Sequence, residues 1–408
     1  MYVKRNLEQT LLRHLASPEI VAVVGPRQAG KTTLIKNILN GLKKSVSVSF
    51  DDQNILTLFE KAPDDFITAY VKGNDFLFID EFQYARSGGR ILKYIFDTQK
   101  IKIIISGSSA IDLTVKALKY LVGRVLIFNL YPFDFQEFLT AKDAAYLKIY
   151  HRYKTMANLR RPARLSIPES IHKKLLHYYE EYLLFGGYPR VVLEENPLSK
   201  KELLRNIYNT YFLREIRDIL GLIDDYKLQS LIKALALQIG GLIEYGELSR
   251  LTGYSYSSLK KYLNFLEKTY ICRLIKPFYK NKRTEIVKNP KVYFFDTGLR
   301  NSIVDDSRPL DERTDTGALL ENGLAMQFIK NDFEFHFWRD KKKNELDFVV
   351  SLEGGRKIAI ESKSYLKTTE SAAMAIFQRA YPTAEKYFSY KDRKSEIKNK
   401  GVYPIYFY

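Results

Sequence analysis

The stretch Gly25-Pro26-Arg27-Gln28-Ala29-Gly30-Lys31-Thr32 decides how the first third of this chain is read. It fits G-x-x-x-x-G-K-[ST], a turn whose backbone N–H groups cradle phosphates. The apolar run Ile20-Val21-Ala22-Val23-Val24 leads into it and predicts a buried strand. Thr33-Leu34-Ile35-Lys36-Asn37-Ile38-Leu39 follows and predicts a helix. Strand, glycine-rich turn and helix start make an anion site, because the unpaired N–H groups and the positive helix end face the ligand together. Gly25, Pro26, Arg27, Gln28, Ala29, Gly30, Lys31, Thr32 and Thr33 are therefore expected to hold ATP. Lys31 would reach the β- and γ-phosphates, and Thr32 would hold Mg²⁺.

Outward from this turn, Ser45 to Phe50, Phe76 to Ile79 and Ile101 to Ile105 read as further strands. Helical segments separate them. This alternation predicts an α/β fold over residues 1–140, a parallel sheet covered on both faces. Phe76-Leu77-Phe78-Ile79-Asp80-Glu81 ends an apolar strand in two carboxylates. Asp80 would hold Mg²⁺ through water and Glu81 would polarise the attacking water. The fourth strand ends in Ser106-Gly107-Ser108-Ser109, where ligands collect in parallel sheets, so Ser106 or Ser108 is placed near the γ-phosphate or the water. Arg124 reads either as an arginine finger on a neighbouring subunit or as a salt-bridged surface residue. Asp51 and Asp52 close the second strand and either shape the site or cap a helix.

These motifs, in this order and followed by Phe185-Gly186-Gly187-Tyr188-Pro189, resemble the archaeal and bacterial AAA-type P-loop ATPases. Those proteins carry a winged helix and a C-terminal domain of unknown function similar to the restriction-endonuclease fold. The resemblance runs over nearly the whole chain except about 145–175. It implies ATP hydrolysis and self-assembly into a homo-oligomer, and it leaves the substrate open.

The composition narrows the classes. The chain of 408 residues has room for several domains. No run of 18 apolar residues occurs, so no membrane partner is expected. The N-terminal Met1-Tyr2-Val3-Lys4-Arg5 is polar and lacks a signal-peptide core. The single cysteine, Cys272, excludes intrachain disulfides and a zinc ribbon, and together these features point to the cytoplasm. The five histidines show no metal spacing. Lys plus Arg number 65 against 47 Asp plus Glu, a net charge of +18. That excess suits a polyanionic partner, DNA above all, although a basic solvated surface gives the same number.

Residues 141–232 read as a helical lid or insert, interrupted by the basic segment Leu159-Arg160-Arg161-Pro162-Ala163-Arg164. Residues 233–300 read as a winged helix: a short helix over Glu247–Leu251, a second over Ser255–Tyr270, then strands over Arg273–Tyr279 and Val292–Phe295 joined by the loop Lys280–Thr284. Arg273, Lys276, Lys280, Lys282, Arg283, Lys288 and Lys291 make that wing basic. Such a wing can follow a phosphate backbone while the preceding helix, with Tyr254, Tyr256, Ser257, Ser258, Lys260 and Lys261, meets base edges. A wing that serves only protein contacts is the competing reading.

Residues 301–408 carry a second constellation. A helix over Thr316–Lys330 bears Glu321, and strands follow over Phe333–Trp338, Leu346–Val350 and Lys357–Ile360. Glu361 and Lys363 share one strand face, since side chains repeat every two residues. Asp347 lies fourteen residues before Glu361, a spacing that suits a hairpin with both carboxylates at one end. An Asp with Glu-x-Lys and a helical Glu is the metal-dependent nuclease pattern. Glu321, Asp347 and Glu361 would hold Mg²⁺, and Lys363 would orient water and steady charge on the phosphate. The alternative is a solvated Glu–Lys pair on an inert fold, in a nucleotide-regulated scaffold for a protein partner.

Overall fold

The computed structural model describes residues 2–408 except 109–119, 158, 160, 161, 210–224 and 398. Ser109, Arg160 and Arg161 therefore lie outside the described residues. Contacts divide the chain into two units, Met1–Phe133 with Lys268–Tyr270, and Asp134–Glu267 with Ile271–Tyr408.

The first unit is built on five parallel strands: β1 (Ile20–Val24), β2 (Ser45–Ser49), β3 (Phe76–Asp80), β4 (Lys102–Gly107) and β5 (Val125–Asn129). Their order is β2-β3-β4-β1-β5, and every neighbouring pair is parallel. Helices α1 (Asn6–His14), α2 (Lys31–Leu39), α3 (Gln53–Lys61), α4 (Pro63–Phe66) and α5 (Gly88–Thr98) accompany the sheet. Alternate residues of β1 enter different cores. Ile20, Ala22 and Val24 join one with Phe59, Leu92 and Ile105. Val21 and Val23 join another with Leu34, Ile38 and Phe78. A strand buried on both faces must be apolar at every position, which is why β1 shows no polar alternation. Strand β5, Val125-Leu126-Ile127-Phe128-Asn129, is nearly as apolar, but it is the last strand in the sheet order and its residues are half-buried or exposed.

The second unit begins with helices α6 (Phe135–Lys142), α7 (Ala144–Met156), α8 (Glu169–Phe185), α9 (Pro189–Leu193) and α10 (Pro197–Asn206). They share a core with the chain's end. Phe135 meets Tyr150, Tyr179 and Tyr406 edge-on or tilted, with ring centroids 5.1–6.3 Å apart. Helix α8 stops at the glycine turn predicted there. Gly186 adopts φ +75, and a Cβ on it would sit 2.0 Å from Oδ1 of Asp296. Gly187 N–H donates to the same carboxylate at 2.7 Å.

Helices α11 (Asp225–Leu237), α12 (Tyr245–Thr252) and α13 (Tyr256–Lys268) precede the antiparallel pair β6 (Cys272–Ile275) and β7 (Lys291–Phe294). A short helix, α14 (Lys282–Val287), lies where the sequence predicts a loop, capped by the Asn281 side chain. The first strand ends four residues early because the chain leaves the pair at Lys276. Pro277 bridges to Phe337 instead, and Phe278 N–H donates to the Phe337 carbonyl at 2.6 Å.

Helix α15 (Thr297–Ile303) leads to α16 (Thr316–Lys330), which is buried along most of its length. Strands β8 (Glu334–Arg339), β9 (Glu345–Ser351) and β10 (Lys357–Leu366) form an antiparallel meander. Helix α17 (Ala372–Ala380) then crosses to β11 (Glu385–Arg393), parallel to β10, and β12 (Val402–Pro404) continues the sheet. Among the described residues no helix is long and apolar enough to cross a membrane.

Candidate nucleotide site and carboxylate cluster

Backbone geometry sets the first site. The turn between β1 and α2 places Gln28 at φ 61 and Gly30 at φ 93. Gly30 caps α2 without a side-chain hydrogen bond, so the first N–H groups of the helix keep no side-chain partner at that cap. Gly25 is needed for a different reason: a Cβ there would meet the Leu130 carbonyl oxygen at 2.0 Å. Arg5 fastens the turn from beneath, donating to the carbonyls of Ala29 and Tyr131 at 2.7 Å each.

The side chains converge at the carboxyl ends of β1, β3 and β4. Thr32 Oγ1 donates to Asp80 Oδ2 at 2.7 Å. Ser106 Oγ donates to Asp80 Oδ1, and Ser106 is fully buried. Lys31 Nζ donates to the carbonyls of Gly25 and Pro26, both at 2.9 Å. Glu81 follows Asp80 in the left-handed region at φ 54, a conformation that costs a non-glycine residue about 1–3 kcal/mol. Burial pushes the Glu81 carboxyl above its ordinary range, against the opposing pull of its bond from Gln83 and the Lys31 charge. Gln83 Nε2 donates to Glu81 and also to Ser108 Oγ at 3.3 Å.

The remaining predicted positions fall around this centre. Arg27 Nη2 donates to Tyr84 Oη at 3.0 Å, and Thr33 is exposed on α2. Asp52 caps α3, accepting from Asn54 N at 2.8 Å. Arg124 immediately precedes β5, at the opposite end of the strands from the P-loop turn, and its Nε meets Asp97 Oδ1 at 3.1 Å. Arg5 and Gln83 were not marked by the sequence. An arginine that buries itself against carbonyls leaves no spacing signal, and Gln83 is tied to the site only by standing two residues after Glu81.

The second cluster lies in the other unit. Residues of β9 and β10 face each other in antiparallel register, Ile360 opposite Phe348. Asp347 and Glu361 consequently meet at one end, where Asp347 Oδ2 accepts from Ser362 N at 2.7 Å. Lys363 Nζ lies 2.7 Å from Glu361 Oε1. Glu361 Oε2 is buried and has no hydrogen-bond partner among the described residues. Burial first, and then the neighbouring Glu321 charge, push the Asp347 carboxyl up to about 7. The sequence counts Lys291 among the basic residues of a wing that follows a phosphate backbone. Lys291 is instead 2% exposed, 2.9 Å from Glu321 Oε1 and 2.7 Å from Glu345 Oε1. Among the described residues no group of three or more His, Cys, Asp or Glu side chains stands ready to hold a metal ion.

Residues 17–139 match the AAA domain family. The nucleotide-binding turn, the five-stranded parallel sheet and this match give residues 17–139 the fold of a P-loop nucleotide-binding domain. Residues 176–310 and 316–408 match two domains of unknown function, DUF8612 and DUF4143. The chain is 24% identical over 370 residues to an uncharacterized protein of Methanocaldococcus jannaschii, spanning 88% of this chain and 77% of that one. It is 26% identical over 375 residues to an uncharacterized protein of Haemophilus influenzae, spanning 86% and 84%. The solved Walker-type ATPase of Pyrococcus abyssi aligns over 74% of this chain and 96% of its own at 14% identity, with a TM-score of 0.48.

Proposed function

We propose that this chain binds and hydrolyses ATP in its first unit and acts on DNA through its second. The observation that carries the ATPase reading is the junction of Thr32, Asp80 and Ser106 beside Lys31 and Glu81. The donor set fits a magnesium nucleotide: a hydroxyl and a carboxylate for a hard cation, a lysine and the N–H groups of the helix start for phosphates. MgATP supplies the scissile phosphoanhydride and its counter-cation when bound. Lys31 would leave the Gly25 and Pro26 carbonyls for the phosphates. Thr32 and Asp80 would hold the cation side of the site. Glu81, held by Gln83, would accept a proton from water as that water's oxygen bonds to the γ-phosphorus and the bridge to the β-phosphate breaks. Arg124 is proposed to serve a neighbouring copy, its exposed pair with Asp97 being weak enough to exchange.

The DNA reading draws support from α11–α13 with the β6–β7 pair, an arrangement that suits a winged helix, and from the α16–β8–β9–β10–α17–β11 order with Asp347, Glu361 and Lys363 at one end, which suits a nuclease-like fold. Tyr256, Ser257, Lys260 and Lys261 are exposed on α13. A cleft of about 460 Å³ brings Lys288, Arg339 and Lys343 beside Tyr279, with Glu244 and Asp340 also in its lining, an excess of cations that suits a phosphate backbone. A specific observation favours the second reading, a switch with an inert tail. Part of the wing's charge is used internally: Lys276 donates to the Ile286 and Lys288 carbonyls at 3.3 Å, and Lys291 is buried.

The deciding measurement is phosphate release with and without duplex DNA, beside DNA affinity at rising salt. The DNA reading expects stimulation and an affinity that falls steeply as salt rises, in proportion to the phosphates neutralised. Absence of binding at low salt, with ATPase activity intact, would overturn it in favour of the switch.

A further inference from the structure

Lys291 is delivered to the carboxylate cluster by backbone, not by a loose side chain. It pairs with Ile275 across the β6–β7 ladder and with Leu242 on its other side. Its ammonium bridges Glu321 on α16 and Glu345 on β9 at 2.9 and 2.7 Å. Burial alone would lower its pKa; the charges of Glu321, Glu345 and Asp347 outweigh that and hold it above an ordinary lysine. Tyr293, two residues on along the same strand, donates to Glu321 as well. Glu345 also meets Arg339 at 3.7 Å.

The neighbouring half of the cluster is differently served. Glu361 is nine-tenths buried, one oxygen bound to Lys363 and the other without a hydrogen-bond partner among the described residues. Asp347 accepts one backbone N–H. Hard oxygen donors therefore stand beside a cation that the protein itself provides. A divalent ion placed among Glu321, Asp347 and Glu361 would repel a fixed ammonium on the same Glu321, and that repulsion is barely screened in a buried site.

We propose that Lys291 is an internal counter-cation that keeps the Glu321–Asp347–Glu361 cluster closed to divalent metal, so that any metal-dependent chemistry of the tail requires the β6–β7 pair to withdraw it. This rests on the reading of the cluster as a metal site. The hairpin thereby becomes a control element: its position decides whether the acidic cluster holds a protein cation or a metal. The Pro277–Phe337 bridge and the Phe278 N–H bond to Phe337 fasten the same hairpin to β8, which keeps the lysine in place in the resting chain.

The test is Mn²⁺ binding by calorimetry and Tb³⁺ luminescence sensitised by tyrosine, on the full chain, its Lys291→Met variant and each of these carrying Glu361→Gln, with folding followed by circular dichroism. The expected result is no Glu361-dependent binding in the wild type and at least tenfold tighter Glu361-dependent binding in Lys291→Met. Glu361-dependent binding of equal strength in the wild type overturns the lock while leaving the metal site standing. A folded Lys291→Met chain without such binding overturns the lock together with the metal site. Should Lys291→Met unfold because two half-buried carboxylates lose their cation, recovery of its folded signal by Mn²⁺ supports the proposal, and failure to recover overturns it.

Discussion

At the scale of single residues, two strained backbone positions fall within the nucleotide site. Gln28 and Glu81 both occupy the left-handed region without being glycine, and both flank the expected phosphate position. Lys31→Ala is expected to remove ATP binding and to lower hydrolysis by roughly 100-fold or more, since a charge aimed at the transferred phosphoryl group is lost; nucleotide titration and phosphate release check both. Glu81→Gln is expected to keep nucleotide binding and lose roughly 10²–10⁴ in turnover, the usual contribution of a positioned base. Its pH dependence has a defined sign. Glu81 acts as a base only when ionised, and burial raises its pKa, so hydrolysis falls as pH drops through a value above the ordinary glutamate pKa of about 4.3. A wild-type acid limb at or below that value would contradict the role.

At the scale of elements, turns and strand ends carry the burden. The turn after α8 exists because Gly186 can take φ +75 while the Asp296 carboxylate fills the space a side chain would need. Asp296 is buried, and burial pushes its carboxyl upward against the N–H bonds from Gly187, Leu299 and Gly298. Gly186→Ala adds left-handed strain and displaces that carboxylate, so it is expected to destabilise the second unit by about 3 kcal/mol. Thermal melts should show the loss with ATP binding by the first unit unchanged. The glycine turn itself was legible in Phe185-Gly186-Gly187-Tyr188-Pro189, but its partner was not, because Asp296 stands more than a hundred residues away. Helix α14 was misread for the opposite reason. Lys282-Arg283-Thr284-Glu285 looks like a solvated basic loop, and only Asn281 capping and the burial of Glu285 against Tyr279 N–H make it helical.

At the scale of the whole molecule, the proposed ATP hydrolysis is placed between copies of the chain. Arg124→Ala is expected to leave ATP binding unchanged and to lower hydrolysis by 10³-fold or more in an assembled state, the loss typical of a missing arginine finger. Light scattering with ATP on the Glu81→Gln variant measures the assembly, and unchanged turnover in Arg124→Ala would reduce the residue to its surface pair with Asp97. The sequence by itself determined the local features: the P-loop turn, the Asp80-Glu81 strand end, the apolar strands of the parallel sheet and the Glu361/Lys363 face. Each depends on residues a few positions apart, where strand and helix periodicity fix geometry. Only the tertiary structure decided that β1 lies between β4 and β5, that Ser106 reaches Asp80, that Arg5 supports the turn, and that Lys291 is an interior cation. Those facts depend on which distant strands become neighbours, and a lysine's place in water or among buried carboxylates is set by the charges around it, which its local sequence does not contain.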